Sequence, residues 1–295
     1  MTTKNKNLLI FILVAVTLMA VFFLKADIKQ NRVMEKEEAN LINIKTSLDS
    51  APILAKAVSV FNIDKGITIY SKNDETPLPI ASLAKILTVA TSLGGKKSSE
   101  TILISKNALD QTGDFSIFAN EKWKLFDVAQ FTLIASANDG AYALAETNGK
   151  DFLEKINVRA KKLGMENSIF YNVTGLDIKN ENGTLSPGAL ASASDVNKMA
   201  YYAWKGHSYV FLATALPELN LKSESGFTHN FKNTNVLVGK IPNLLFSKTG
   251  FTDLAGGSLT IIFENKKGEE ILTTVLGSTF EGRFLDMEQI VNVLY

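Results

Sequence analysis

Two sets of alternating apolar residues, one near the front and one in the last quarter, enclose a helical middle, and this order constrains the chain more than any other feature. After Pro52 the segment Ala57–Ile63 alternates, turns at Asp64-Lys65-Gly66 and resumes over Ile67–Tyr70, the pattern of a β-hairpin. Pro77 and Pro79 stop the sheet, and Ile80–Leu93 carries apolar residues at helical spacing without Gly or Pro. Further helical stretches run from about Asp127 to Ala135, from Asn138 to Glu146 and from Ser194 to Trp204, with loops marked by Gly164, Gly175, Gly183 and Pro187. Strands return over Leu244–Thr249, Gly257–Glu264 and Glu270–Gly277, with Asn265–Gly268 as a hairpin turn, before a final helix over Arg283–Leu294. Strands at both ends of a helical middle predict one mixed α+β domain over residues 51–295, built on a largely antiparallel sheet.

Ahead of that domain, Leu8–Leu24 runs without a charge and follows Lys4 and Lys6. Residues 1–25 therefore read as a cytoplasmic tip with a membrane anchor, or as a signal sequence. The run is near the lower limit of about 17 residues for a spanning helix and exceeds the roughly 7–15 residues of a signal-peptide core. It closes with Phe22-Phe23-Leu24-Lys25 rather than a small-x-small cleavage site, so an uncleaved single-pass anchor is the expectation. The lysines ahead of it put the N-terminus in the cytoplasm and the remainder outside; cleavage would instead release a secreted domain. Residues 26–50 are charged and free of Gly and Pro, and read either as a helical stalk or as a disordered tether.

The net charge of +1 gives no electrostatic sign of nucleic acid. Without cysteine the chain holds no disulfide, no thiolate nucleophile and no cysteine-bound metal. Its two histidines, His207 and His229, stand outside the His-Glu-x-x-His and His-x-x-Glu-His spacings, so a zinc hydrolase would lack any known ligand motif. No metal and no organic cofactor is expected.

With histidine unpromising, a serine nucleophile needs a different base. Ser82 and Lys85 stand three residues apart at a predicted helix start, where they share one face and the amine can reach the hydroxyl. Leu83, Ile86 and Leu87 supply apolar surroundings of the kind that disfavour an ammonium and lower a lysine pKa. The helix start also offers free backbone N–H groups for an oxyanion. An N-capping serine beside a solvated lysine would leave the same trace. Ser-x-Asn occurs at Ser71, Ser105 and Ser136, and only Ser136-Ala137-Asn138 lies between two apolar helices. Lys248-Thr249-Gly250 closes a hydrophobic strand, where a cation and a hydroxyl beside a glycine would suit a carboxylate, or would simply end a strand.

In this order the three elements resemble the signature of active-site serine penicillin-binding proteins, Ser-x-x-Lys, Ser-x-Asn and Lys-Thr-Gly. Within that group the chain is most similar to the low-molecular-weight D-alanyl-D-alanine carboxypeptidases of peptidase family S11. Asn172-Val-Thr-Gly-Leu176, Ala193-Ser-Asp-Val196 and Lys248-Thr-Gly-Phe-Thr-Asp-Leu-Ala-Gly256 support this, and the likeness covers about Lys56 to Leu294. The resemblance implies a β-lactamase-like fold, with about five largely antiparallel strands flanked by helices and a helical subdomain. It implies Ser82 as acyl-ester nucleophile, Lys85 as its base and Ser136 as proton relay to the leaving amine. Asn138 would bind the substrate amide and help hold Lys85. Lys248, Thr249 and Gly250 would receive the terminal carboxylate of a D-Ala-D-Ala stem peptide of peptidoglycan, and the N–H groups of Ser82 and Phe251 would form the oxyanion hole. β-Lactams would be covalent inhibitors.

Relatives often carry a further β-rich domain and a C-terminal membrane helix, a role Leu8–Leu24 would take here; the Leu185–Ala191 segment lacks the histidine expected before the Ser/Thr-Ala-x-Asp helix start. The alternatives on the same fold are a DD-endopeptidase, a β-lactamase, for which no convincing Glu-x-x-x-Asn is present, and a non-catalytic envelope protein, in which one of the three elements should be lost.

Overall fold

The alternating segments at the two ends meet in one sheet. A computed structural model describes residues 3–97, 99–113 and 115–295, without the side chains of residues 3–18, 20, 21, 26, 28 and 33. The chain falls into two compact units, residues up to Asp49 and Ser50–Tyr295. The first is helix α1 (Thr3–Ser50), so residues 26–50 are helical rather than irregular. The apolar run Leu8–Leu24 falls mostly on side chains outside the described residues; among the described residues no helix is long and apolar enough to cross a membrane.

In the second unit, β1 (Ala57–Asn62) and β2 (Ile67–Lys72) form the hairpin predicted around Gly66. The helical middle comprises α2 (Ala84–Leu93), α3 (Lys106–Leu109), α4 (Leu125–Ile134), α5 (Asn138–Thr147), α6 (Phe152–Lys162) and α7 (Ala193–Phe211). A second hairpin, β3 (Glu218–Lys222) with β4 (Thr228–Lys232), has no counterpart in the sequence reading. The chain closes with β5 (Leu244–Thr252), β6 (Gly256–Glu264), β7 (Glu270–Ser278) and α8 (Gly282–Leu294). The main sheet is antiparallel, in the order β5-β6-β7-β1-β2, and its centre pairs Ala57 with Leu276 and Asn62 with Ile271. The five-stranded mixed α+β architecture is thus as expected. Helix α7 runs past its predicted end at Trp204 and changes direction at His207, whose φ of −144° is not helical.

Period-two burial explains the layering. Leu272 and Leu276 of β7 join the core built with the helical middle, whereas Ile271 and Val275 are buried outside that core, on the side that packs α8. The sheet is therefore covered on both faces, and its β5 edge lies against the short 3₁₀ turn Ala81–Leu83 that precedes α2. At the far side, the buried carboxylate of Asp286 on α8 accepts hydrogen bonds from Leu54 N, Ala55 N and Ser278 Oγ at 2.8, 2.9 and 2.6 Å. Replacing it by alanine orphans three donors at once. Asp286→Ala is expected to lower unfolding free energy by about 2–4 kcal/mol, the penalty for buried donors left without a partner, as measured by urea denaturation.

Candidate active site

Ser82 sits in the 3₁₀ turn and Lys85 in the first turn of α2, so their spacing places amine over hydroxyl, with Lys85 Nζ 2.8 Å from Ser82 Oγ. The rest of Lys85 is enclosed: the residue is fully buried, and Nζ donates to the Thr174 carbonyl at 3.0 Å. Burial brings its pKa from the usual 10.5 down to about 7, against the opposing pull of the Asp139 carboxylate. An amine in this state divides between ammonium and free base near neutral pH.

Ser136 lies between α4 and α5 as expected, in a left-handed backbone conformation with φ of +60°. Its Oγ accepts a hydrogen bond of 2.8 Å from Lys248 Nζ on β5. Lys248 is buried, and its pKa is well below that of an ordinary lysine because of burial and because the Lys85 and Arg283 cations are nearby. Three segments distant in sequence thus converge: the helix-start pair, the α4–α5 junction and the β5 edge. Gly250 permits the approach of the last, since a Cβ there would meet Ile80 O at 2.9 Å and Ala81 Cβ at 3.3 Å, in the turn that carries Ser82. Ala81 itself has φ of +48°, so Ser82 follows a strained residue that the close-packed strand holds in place.

Asn138 departs from expectation. Its Nδ2 donates to Thr112 O at 2.6 Å, while its Oδ1 is buried without a hydrogen-bond partner. The second contact of Lys85 goes to the Thr174 carbonyl instead, so Asn138 does not hold the amine here. A buried amide oxygen without a partner is an exception to the rule that such groups are hydrogen-bonded. Thr249 Oγ1 lies 2.6 Å from Thr234 Oγ1, in the segment that follows β4. Phe251 is 44% exposed and meets Phe280 edge-on at 5.0 Å, with Arg283 beneath both rings. Arg283 Nη1 donates to Gly250 O at 3.0 Å and ties the glycine strand to α8. Thr174, Thr234, Asp139 and Arg283 were not singled out from sequence. Thr174 lies inside Asn172–Leu176 and Asp139 inside Ser136–Glu146, two segments that carry the family resemblance; Thr234 and Arg283 carry no pattern.

A family model described as D-alanyl-D-alanine carboxypeptidase, peptidase S11, matches residues 44–279. The chain belongs to the S11 peptidase family. Among S11 relatives, the D-alanyl-D-alanine carboxypeptidase DacF of Bacillus subtilis is 31% identical over 237 residues, 76% of this chain and 58% of its own length. A D-alanyl-D-alanine endopeptidase of Escherichia coli is 27% identical over 232 residues, 75% of this chain and 71% of that protein. The chain thus spans little more than half of the Bacillus relative. Penicillin-binding protein D2 of Listeria monocytogenes, solved in a cefotaxime-bound form, superposes with a TM-score of 0.70 at 29% identity, covering 83% of this chain and 98% of that one. The Streptomyces K15 DD-transpeptidase, at 24% identity and a TM-score of 0.73, shares the fold. The S11 chain accordingly has the penicillin-binding-protein fold that its motifs imply.

Burial of Lys85 has a stability consequence with a definite sign. Its folded pKa lies below its unfolded one, so the unfolded chain holds the extra proton between pH 7 and 10.5. Stability therefore rises across that window, and below it the amine is a net burden of up to about 5 kcal/mol. Lys85→Met, after losing the bonds to Ser82 and Thr174, is expected to be more stable by about 2–4 kcal/mol at pH 6–7. The gain should vanish toward pH 10.5, as read by denaturant titration across pH.

Proposed function

We propose that this S11 peptidase is a serine D-alanyl-D-alanine carboxypeptidase, which removes the terminal D-alanine of peptidoglycan stem peptides through a Ser82 acyl-enzyme. The observation that carries the reading is the Lys85 amine, buried to a pKa of about 7 and 2.8 Å from Ser82 Oγ. A serine hydroxyl becomes a competent nucleophile only when its proton has somewhere to go as the new bond forms. Here it passes to Lys85 as Oγ attacks the carbonyl carbon of the penultimate D-alanine. The oxyanion is received by backbone N–H groups of Ser82 and Phe251. Ser136, bonded to Lys248, relays a proton to the departing amine of D-alanine: it gives up its hydroxyl proton and regains one from the Lys85 ammonium, which returns Lys85 to the free base. Lys248 and Thr249 bind the terminal carboxylate, whose charge restores the lysine's proton in a site that otherwise disfavours it. Asn138 Oδ1 takes the substrate amide N–H, which removes its unsatisfied state. Water then cleaves the ester and frees Ser82.

Residues 51–295 act in this reading as the catalytic domain and 26–50 as a stalk. Leu8–Leu24 serves as a single-pass anchor that leaves the domain outside the cytoplasm, where its substrate lies. β-Lactams, present in the solved Listeria protein as cefotaxime, would acylate the same serine. Endopeptidase action on cross-linked stems is the second reading, favoured by the 27% identity to the Escherichia coli endopeptidase.

A penicillin probe is expected to add covalently to the Ser82 peptide, detected by mass spectrometry; folded protein without that adduct sinks the enzymatic reading. Lys85→Ala should fold and acylate slower by about 10²–10⁴-fold, the usual worth of a general base. The acylation rate of the wild type should climb with pH through a limb near 7 as Lys85 loses its proton. Asp139→Asn should move that limb to lower pH, because the carboxylate favours the ammonium. Release of D-alanine from a pentapeptide, set against cleavage of a cross-linked dimer, separates the two peptidase readings.

A further inference from the structure

The Asn172–Leu176 segment has no part in the chemistry above, yet it touches the base. Its one contact with the reacting groups is the Thr174 carbonyl, 3.0 Å from Lys85 Nζ. A carbonyl oxygen can only accept. A lysine acting as base is a neutral amine, with two N–H bonds and one lone pair. When one N–H is committed to Thr174 O, the nitrogen is held in place and the rotamer whose lone pair faces that carbonyl is excluded, which leaves the lone pair available to Ser82 Oγ, 2.8 Å away. A free amine would spend much of its time with an N–H aimed at the hydroxyl, in an orientation that cannot take its proton. The same logic sets the tautomer of a catalytic histidine through the hydrogen bond of its other nitrogen.

The aim of that carbonyl is itself fixed by one side chain. Asn172 Oδ1 accepts from Thr174 N at 3.1 Å, Thr174 Oγ1 at 3.1 Å and Gly175 N at 2.7 Å, and its Nδ2 donates to Leu176 O at 2.8 Å. These four bonds close a tight turn around the Thr174 peptide group. Thr88 Oγ1 on α2 adds a bond to Val173 O at 2.8 Å, so the turn is docked on the helix that carries Lys85. Gly175 has φ of +79°, and a Cβ there would lie 1.8 Å from Ala81 O, so the turn is pressed against the residue before Ser82. Just beyond, the Asp177 carboxylate accepts from Thr252 Oγ1 at 3.0 Å and from Leu254 N at 3.1 Å, which pins the far end of the segment to the end of β5.

We propose that Asn172 is a positioning residue for the general base: by holding the Thr174 carbonyl on Lys85 Nζ, it fixes the amine over Ser82 Oγ and keeps its lone pair off that carbonyl. This rests on the reading of Lys85 as base. The residue touches neither substrate nor nucleophile and acts only through the orientation of the amine.

The test is a double-mutant cycle on the full chain, reading the second-order rate of penicillin acylation per folded site. Adduct and protein are counted by mass spectrometry, and the fold of each variant is checked by its melting transition. Asn172→Ala is expected to lower the rate about 10–100-fold, the scale of a misoriented catalytic group. The loss should persist at pH 9, where all Lys85 is neutral, because orientation rather than proton occupancy is at fault. In a Lys85→Ala background the same substitution should change the rate by less than about twofold, since the group it orients is gone. An equal loss in both backgrounds means that the turn merely shapes the Ser82 loop, and it overturns the proposal, as does an unchanged rate in the single variant. Asn172→Ser keeps a short acceptor able to close a serine turn and is expected to lose about three- to tenfold. It is put through the same cycle and decides the question if the alanine variant does not fold. Failure of the wild type to acylate at all would sink the proposed function instead, so the two failures are distinct.

Discussion

A lysine amine deprived of water is the interaction around which the rest of this domain is arranged. Lys85 is fully buried, and the apolar side chains of α2 and its neighbours make its charge unfavourable. Taking an ammonium out of water works against folding, and the core of the sheet and helical layers has to outweigh it. The second buried lysine, Lys248, adds to the burden, because burial and the nearby Lys85 and Arg283 charges all disfavour its ammonium. Two such groups side by side make little sense as stabilising elements. They make sense when one is to be neutral and the other is to meet an anion.

The scaffold keeps these groups in register through rigid contacts. Ser82 follows Ala81 with φ of +48°, and Ser136 has φ of +60°, so both serines depend on backbone that a non-glycine residue adopts only under constraint. The constraint comes from close approach: the Gly250 strand presses on one side of the Ser82 turn, the Gly175 turn presses on another, and Arg283 ties the glycine strand to the last helix. Little conformational freedom is left to lose when a substrate arrives, which is how a preorganised site lowers its barrier.

Much of this was legible in the sequence, for physical reasons that can be stated residue by residue. Ser82 and Lys85 were readable because three residues on a helix is a distance, not only a spacing. The hairpins at Gly66 and Gly268 were readable because alternation and turn chemistry agree there. What stayed hidden depends on groups that side-chain identity does not encode. The partner of Lys85 is the carbonyl of Thr174, and every residue has a carbonyl. Thr234 reaches Thr249 only because the β3–β4 hairpin returns the chain to β5, and that hairpin's strands, though they alternate in burial, are only five residues long and bury few large apolar side chains. The bond expected between Asn138 and Lys85 is not among those the amine makes: it meets Ser82 Oγ and the Thr174 carbonyl, while Asn138 Nδ2 donates to Thr112 O.

The pairing of β1 with β7 has a kinetic meaning. A strand that begins at Ala57 finds its inner neighbour only at Glu270–Ser278, more than two hundred residues later, while β2 is available at once. As the chain emerges from its N-terminal end, the early hairpin waits with one edge open until residues 270–278 are present. Pairing so distant in sequence is a slow step of high contact order that leaves an edge unpaired in the meantime. The β5 edge that meets the Ser82 turn belongs to the same late segment, so a partly made chain holds Ser82 and Lys85 without the strand that faces them.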